Sequence, residues 1–176
     1  PVHVEYCSGN GAWIASKAAA DTRINWLGIE KKLARVRKIW SKTKNLALSN
    51  LIALAGEGYQ ATKRFFPDGS IDQVFINFPD PWPKKRHAKH RLIQETFLDE
   101  VWRILKDGGC LTIVTDDKAY SEWIIKHLLK KTGFRSLHPE PYFITELPNY
   151  GSSYFEELWR EKGLTIHYHQ FEKIAL

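Results

Sequence analysis

Apolar positions change period repeatedly along this chain. Val2 to Glu5 reads as a short strand running into a glycine-rich turn, Cys7-Ser8-Gly9-Asn10-Gly11, and Ala12 to Ala20 reads as an alanine-rich helix. Ile24 to Ile29 is a second apolar run that stops at Glu30. Over Lys31 to Lys42, Leu33, Val36, Ile39 and Trp40 fall near a 3.6-residue repeat with basic residues opposite, which predicts an amphipathic helix. Leu46 to Leu48 is a short strand candidate, and Leu51 to Phe66 is expected to hold one helix. Ile71 to Ile76 is a strand introduced by the turn Pro67-Asp68-Gly69. Leu92 to Leu105 is a helix stopped by Gly108-Gly109, and Leu111 to Val114 is a strand ending at Thr115-Asp116. Tyr120 to Leu129 is a helix with Gly133 as its C-terminal cap. Phe134 to Leu137 and Thr165 to Phe171 are late strands, His138 to Ser153 is loop, and Phe155 to Glu161 is a short helix.

Strand and helix alternate five times with short connections. That pattern predicts βαβ units and an α/β fold, a mostly parallel sheet with helices on both faces. The last two strands lack a long intervening helix, so an antiparallel edge is expected.

Composition narrows the class. At 176 residues, 43% hydrophobic and 26% charged, the whole chain is expected to form one domain with a core large enough to need no staple. No apolar run reaches about 18 residues, so no membrane span is expected. Two distant cysteines without a CxxC pair fit neither a disulfide scaffold nor a zinc site, and point to a reducing, cytoplasmic setting without a metal. The first residue already lies in an apolar-alternating run and the chain has no Met, so a segment leading into the first strand is expected to be missing. The net charge of +6 suggests a polyanionic partner.

Ligands of open α/β sheets bind beyond the carboxyl ends of the strands. Five predicted strand ends deliver acids or amides there: Glu5, Glu30, Asn50 with Glu57, Asn77 with Asp80, and Asp116. A dinucleotide fingerprint would need a third glycine at position 14, which is Ile14. Glu5, just before the Gly9 and Gly11 turn, would repel a pyrophosphate but attract a cationic ligand. S-adenosylmethionine, with an ammonium and a sulfonium, fits, and Glu30 stands where an acid grips ribose hydroxyls. The competing reading is structural: the turn closes a strand–helix corner and Glu30 caps the next helix. Cys7 reads as a small buried thiol rather than a nucleophile.

The most specific segment is Asn77-Phe78-Pro79-Asp80-Pro81-Trp82-Pro83-Lys84-Lys85-Arg86-His87-Ala88-Lys89-His90-Arg91. Three prolines stiffen a loop at the ligand rim, and five Lys/Arg and two His follow at once. Basic groups beside a flat aromatic suit RNA, with phosphates neutralised and a base stacked. The plainer alternative is a solvated charged face.

The stretch NFPDPWPKKRHAKHR closely resembles the signature of the bacterial TrmB family, the tRNA (guanine-N7-)-methyltransferases. The opening VEYCSGNG resembles the family's first cofactor motif, Leu27-Gly28-Ile29-Glu30 its ribose-binding strand end, Thr115-Asp116 its strand-five substrate site, and Ser153-Tyr154-Phe155-Glu156 its late T-x-x-E element. These occur in family order across nearly the whole chain. The resemblance implies a Rossmann-like class I methyltransferase fold, S-adenosylmethionine as cofactor, tRNA as substrate, and methylation at N7 of a guanine in its variable loop. It implies cofactor contacts from Glu5, Gly9, Gly11, Glu30, Glu57 and Asp80, and substrate contacts from Lys84, Asp116, Ser153 and Glu156. Cys7 replaces the usual first glycine, Glu57 stands where an Asp is typical with Asn50 as its rival, and Ser153 replaces Thr but keeps the hydroxyl.

Guanine N7 carries a lone pair and no proton, so the transfer needs no general base. Positioning should supply most of the catalysis, with a carboxylate stabilising the developing purine cation. Asp116 is expected to hold the guanine N1–H and N2–H₂ edge, or else to cap the helix starting near Lys118. Asp80 is expected to reach both ligands, and Lys84, Lys85, Arg86, Lys89 and Arg91 to hold phosphates, with His87 and His90 as auxiliary RNA contacts. Two rivals are an adenosylmethionine enzyme acting on an exocyclic or side-chain amine, and a non-catalytic RNA-binding module.

Overall fold

The computed structural model describes residues 1–151 and 153–175, and of Lys85 the backbone alone. Seven strands form one sheet in the order β3-β2-β1-β4-β5-β7-β6. The strands are β1 (Val2–Tyr6), β2 (Asn25–Glu30), β3 (Leu51–Ala55), β4 (Ile71–Asn77), β5 (Leu105–Thr115), β6 (Phe134–Ser136) and β7 (His167–Lys173). The first five pair in parallel, while β7 is antiparallel to both β5 and β6, which is the expected edge. The helices are α1 (Ala12–Ala20), α2 (Leu33–Asn45), α3 (Gly58–Phe65), α4 (Glu95–Ile104), α5 (Lys118–Lys130) and α6 (Tyr154–Glu161).

Both sheet faces are covered, as the apolar runs of the central strands require. On one face Val4, Tyr6, Val74, Ile76 and Ile113 meet Ala61 of α3, Phe97, Leu98 and Val101 of α4, and Tyr120 and Ile124 of α5. On the other, Trp26 and Val114 meet Trp13, Ile14 and Ala18 of α1, Ile39 of α2, and Tyr150 and Ile166. α4 forms because Phe97, Leu98, Val101 and Ile104 fall at helical spacing on one side, and all four are buried.

The third strand departs from expectation. Leu46 to Leu48 is not a strand: α2 continues to Asn45, and the chain turns through Ala47 at φ 50°. The strand is Leu51–Ala55, inside the segment expected to hold only a helix, and α3 follows it. Asn50 therefore precedes β3 and lies at the rim opposite the parallel strands' carboxyl ends. It is buried, and its Nδ2 donates to the carbonyls of Ala18, Asp21 and Ile24 at 2.8–3.2 Å. Its role is to tie the end of α1 to the start of β2, so it drops out as a ligand residue.

β1 lies between β2 and β4, so the chain reverses its progression across the sheet at the β1/β4 boundary. Such a switch point opens a crevice at the carboxyl rim. No helix among the described residues is long and apolar enough to cross a membrane.

Candidate active site

A cavity of about 530 Å³ opens at this rim, walled by Cys7, Gly9, Glu30, Gly56, Glu57, Tyr59, Asp80, Trp82, Lys89, Arg91 and Phe97 among others. Its floor is the turn after β1. Cys7, Gly9 and Gly11 all have positive φ, at 61°, 55° and 73°. Cys7 thus adopts a backbone conformation that favours glycine, which explains the glycine usual at that place in the resembling family. Contrary to the sequence reading, its side chain is exposed rather than buried. Gly11 admits no side chain, since a Cβ there would stand 2.6 Å from Ile39 Cγ1.

Glu30 both shapes and lines the cavity. Its Oε2 accepts from the backbone N–H of Gly9 at 3.1 Å and its Oε1 from that of Lys32 at 2.9 Å, with Arg35 at 3.7 Å. It therefore binds the turn to the start of α2 and still presents carboxylate edge to the cavity. Glu57 is the N-cap of α3, accepting from Tyr59 N and Gln60 N at 3.2 and 3.0 Å, on the facing wall.

Glu5 lies behind that surface, 2% exposed. Asn77 Nδ2 donates to its Oε1 at 2.7 Å, and Oε2 has no hydrogen-bond partner among the described residues. Burial raises its carboxyl to about 7, against the lowering effect of hydrogen bonds and with a further push from Glu30. A buried carboxylate oxygen without a donor is costly unless a cation or proton meets it. Asn77 Oδ1 in turn accepts from the buried Tyr150 hydroxyl at 2.7 Å, a contact across 73 residues that the sequence does not reveal.

The loop after β4 is bent hard. Phe78 and Trp82 have φ of 48° and 44°, and the Trp82 ring packs against His87 and His90 at centroid distances of 5.7 and 5.3 Å. Asp80 is exposed at the cavity lip, and the following segment, from Lys85 to His90, is a short 3-10 helix. Lys84, Arg86 and Lys89 are exposed. The side chain of Lys85 lies outside the described residues. Arg91 departs from expectation: it turns inward and is engaged by the protein itself.

At the end of β5, Asp116 is half-buried, and burial raises its carboxyl, with Asp117 adding to the shift and His167 opposing it. Asp117, not Asp116, caps α5, accepting from Tyr120 N at 2.7 Å. The capping alternative for Asp116 is therefore excluded. His167 pairs with Thr115 across the β5–β7 ladder and stacks on Phe143 at 4.0 Å, so an aromatic ledge stands beside Asp116. Ser153 is the N-cap of α6, accepting from Glu156 N at 3.2 Å. Glu156 is buried, with Oε1 taken by Tyr168 and Arg160 at 2.6 and 3.1 Å and Oε2 without a hydrogen-bond partner among the described residues. The cavity walls include Glu30, Glu57 and Asp80, but not Lys84, Asp116, Ser153 or Glu156. Lys31, Lys32 and Arg35 also line it, which their sequence positions alone do not reveal. The only sign of them was the basic face of α2.

Comparison with known proteins agrees with this architecture. A family model described as "Putative methyltransferase" matches residues 1–169. A tRNA (guanine-N(7)-)-methyltransferase of Chlamydia muridarum is 45% identical over 175 residues, covering 98% of this chain and 76% of that protein. Among solved structures, an rRNA methylase from Streptococcus thermophilus superposes with a TM-score of 0.65 at 14% identity, covering 99% of this chain and 87% of that one. TrmN from Thermus thermophilus superposes with a TM-score of 0.70 at 17% identity, covering 98% and 44%. The two structures share the fold, and the near-complete sequence match carries the finer conclusion: the chain belongs to the TrmB family of tRNA (guanine-N7-)-methyltransferases.

Proposed function

We propose that the protein transfers a methyl group from S-adenosylmethionine to N7 of a guanine in tRNA, with the variable loop as the target region. The observation that carries this reading is the set of carboxylates at the rim. Glu5, Glu30, Glu57 and Asp80 ring or underlie one cavity, and an exposed basic segment leaves directly from its lip.

The residues fit the cofactor. Glu5 keeps a buried, unpartnered carboxylate oxygen of the kind an ammonium satisfies. Glu30 presents a carboxylate held by two backbone donors, suited to a ribose diol, and the cleft walled by Glu57, Tyr59 and Phe97 suits a purine. At the turn after β1 the Gly9 N–H already donates to Glu30, so the backbone donor a pyrophosphate would use there is taken by a carboxylate. When bound, S-adenosylmethionine supplies a methyl group on a sulfonium, which the N7 lone pair takes as the carbon–sulfur bond breaks.

The chain's own work is to hold and align. Asp116 accepts hydrogen bonds from the Watson–Crick edge of guanine, which N7 methylation leaves free, and its charge favours the purine cation that forms. His167 and Phe143 give that base a flat neighbour, Asp80 faces both ligands, and Lys84, Arg86 and Lys89 neutralise phosphates. Ser153 and Glu156 hold α6 against the substrate side.

The test is methyl transfer from labelled S-adenosylmethionine to bulk tRNA, followed by nucleoside analysis. Label in 7-methylguanosine is the expected result. Label in another nucleoside, or cofactor binding without transfer, overturns the reading in favour of a different target or a non-catalytic module.

A further inference from the structure

We infer that Arg91 is a positioning residue: it clamps the Pro81-Trp82 turn to α5 and so sets the gap between the Asp80 loop and Asp116. The inference deepens the methyl-transfer reading and rests on it for its catalytic consequence.

The basic run reads as a row of phosphate ligands, but its last member is spent on the protein. Arg91 Nε donates to the Pro81 carbonyl at 2.8 Å and Nη2 to the Trp82 carbonyl at 3.4 Å. Its guanidinium carbon lies 4.6 Å from the Trp123 ring centroid and 5.2 Å from that of Tyr120. Both rings come from α5, one helical turn apart, and both are fixed: Tyr120 is fully buried, and Trp123 Nε1 donates to the Ile93 carbonyl at 2.8 Å.

The loop it grips is short of backbone donors. Pro79, Pro81 and Pro83 remove three backbone donors, and Phe78 and Trp82 occupy the left-handed region that side chains disfavour. A planar donor fork that stacks while bonding two successive carbonyls answers that need, and a lysine could not supply both contacts. Asp80 immediately precedes the clamped turn, and Asp116 immediately precedes the N-cap of the helix that supplies the two rings. Arg91 therefore joins the supports of the two carboxylates, and a small misplacement of reacting groups is costly in rate.

The test compares Arg91→Lys, which keeps the charge, with Arg91→Gln, which does not, and with Trp123→Leu, which removes a ring and keeps Arg91. In all three, turnover at saturating tRNA and cofactor should fall at least about tenfold. The affinity for tRNA should stay within about threefold, and the log–log salt slope of tRNA binding should not change. The backbone amides of Asp80, Trp82 and Lys84 should exchange hydrogen faster in all three variants, by a measurement that needs no catalysis. Lys89→Gln instead should flatten the salt slope by about 0.7–0.9 and leave that exchange unaltered. Wild-type turnover in Arg91→Lys, unchanged loop exchange in that variant, or a flattened slope in Arg91→Gln would each overturn the clamp. Should the wild-type chain make no 7-methylguanosine, the functional reading fails, and the exchange and slope measurements still decide the clamp.

Discussion

Asn77 donates to Oε1 of the buried Glu5 at 2.7 Å, while Oε2 of the same carboxyl has no partner among the described residues. The pair is half of a site, and its other half must be a proton or a cation. Burial holds the Glu5 carboxyl at about 7 in the folded protein, against 4.5 when unperturbed. Between those values the folded chain keeps a proton that the unfolded chain has released. Stability from this group therefore falls as pH rises from about 4.5 to about 7 and is flat beyond. His169, lowered to about 4 by burial, contributes the opposite slope below its ordinary value of 6.5, so a single pH profile will not isolate Glu5. The difference between wild type and Glu5→Gln will: in chemical denaturation wild type should lose stability relative to the variant steadily across that window. An ammonium beside Oε2 favours the carboxylate, so cofactor binding near pH 6.5 should release most of a proton. Calorimetry in buffers of different ionisation enthalpy measures this. Equal proton release by wild type and Glu5→Gln would remove Glu5 from the cofactor site.

Glu30 carries two duties, and its removal should show both. Glu30→Ala deletes a charge-assisted ribose contact, roughly 1.5–3 kcal/mol, which is about ten- to a hundredfold in cofactor affinity. It also frees the N–H groups of Gly9 and Lys32, so the melting temperature should drop by several degrees. A variant that melts lower but binds cofactor normally would leave Glu30 as a turn clasp alone.

Exposed cations should dominate tRNA binding. With Lys84, Arg86, Lys89 and a few neighbours on the α2 side engaged, the log–log salt slope should lie near −3 to −4.5. Replacing Lys84 and Lys89 together by Gln should make it shallower by about 1.4–1.8, from roughly 0.7–0.9 per phosphate. An unchanged slope would reduce the run to a solvated face.

Much of this architecture is legible in the chain because the central strands are covered on both faces and carry apolar runs, such as Val74-Phe75-Ile76. β3 was not legible for the converse reason. It is an edge strand with Ile52 exposed, and Leu46-Ala47-Leu48 imitates it while only closing α2. The acids at the rim could be read from their positions at strand ends. Direction could not: charge alone makes Arg91 look like Lys89, while the rings of Tyr120 and Trp123 and the carbonyls of Pro81 and Trp82 hold it inward. Tyr150 and His167 were invisible because their partners, Asn77 and the end of β5, are distant in sequence.

Asp116 admits a sharper test now that its neighbour is known to cap the helix. Asp117 Oδ1 accepts from Tyr120 N, so Asp117→Ala should cost about 1 kcal/mol of stability. Asp116→Asn should leave stability nearly unchanged, because no cap contact is lost. Its chemistry should not survive so well. A carboxylate accepts from both N1–H and N2–H₂ of guanine, whereas an amide turns an NH₂ toward a donor, and the mismatch of buried polar groups costs roughly 1–3 kcal/mol. The change also removes the negative charge that favours the methylated, cationic purine. Turnover on tRNA should therefore fall at least about tenfold, at 1.36 kcal/mol per decade. Cofactor affinity should stay within about twofold, since Asp116 is not among the residues walling the cofactor cavity. Single-turnover kinetics with saturating cofactor separates the two effects, and near-normal methylation by Asp116→Asn would remove the carboxylate from guanine recognition.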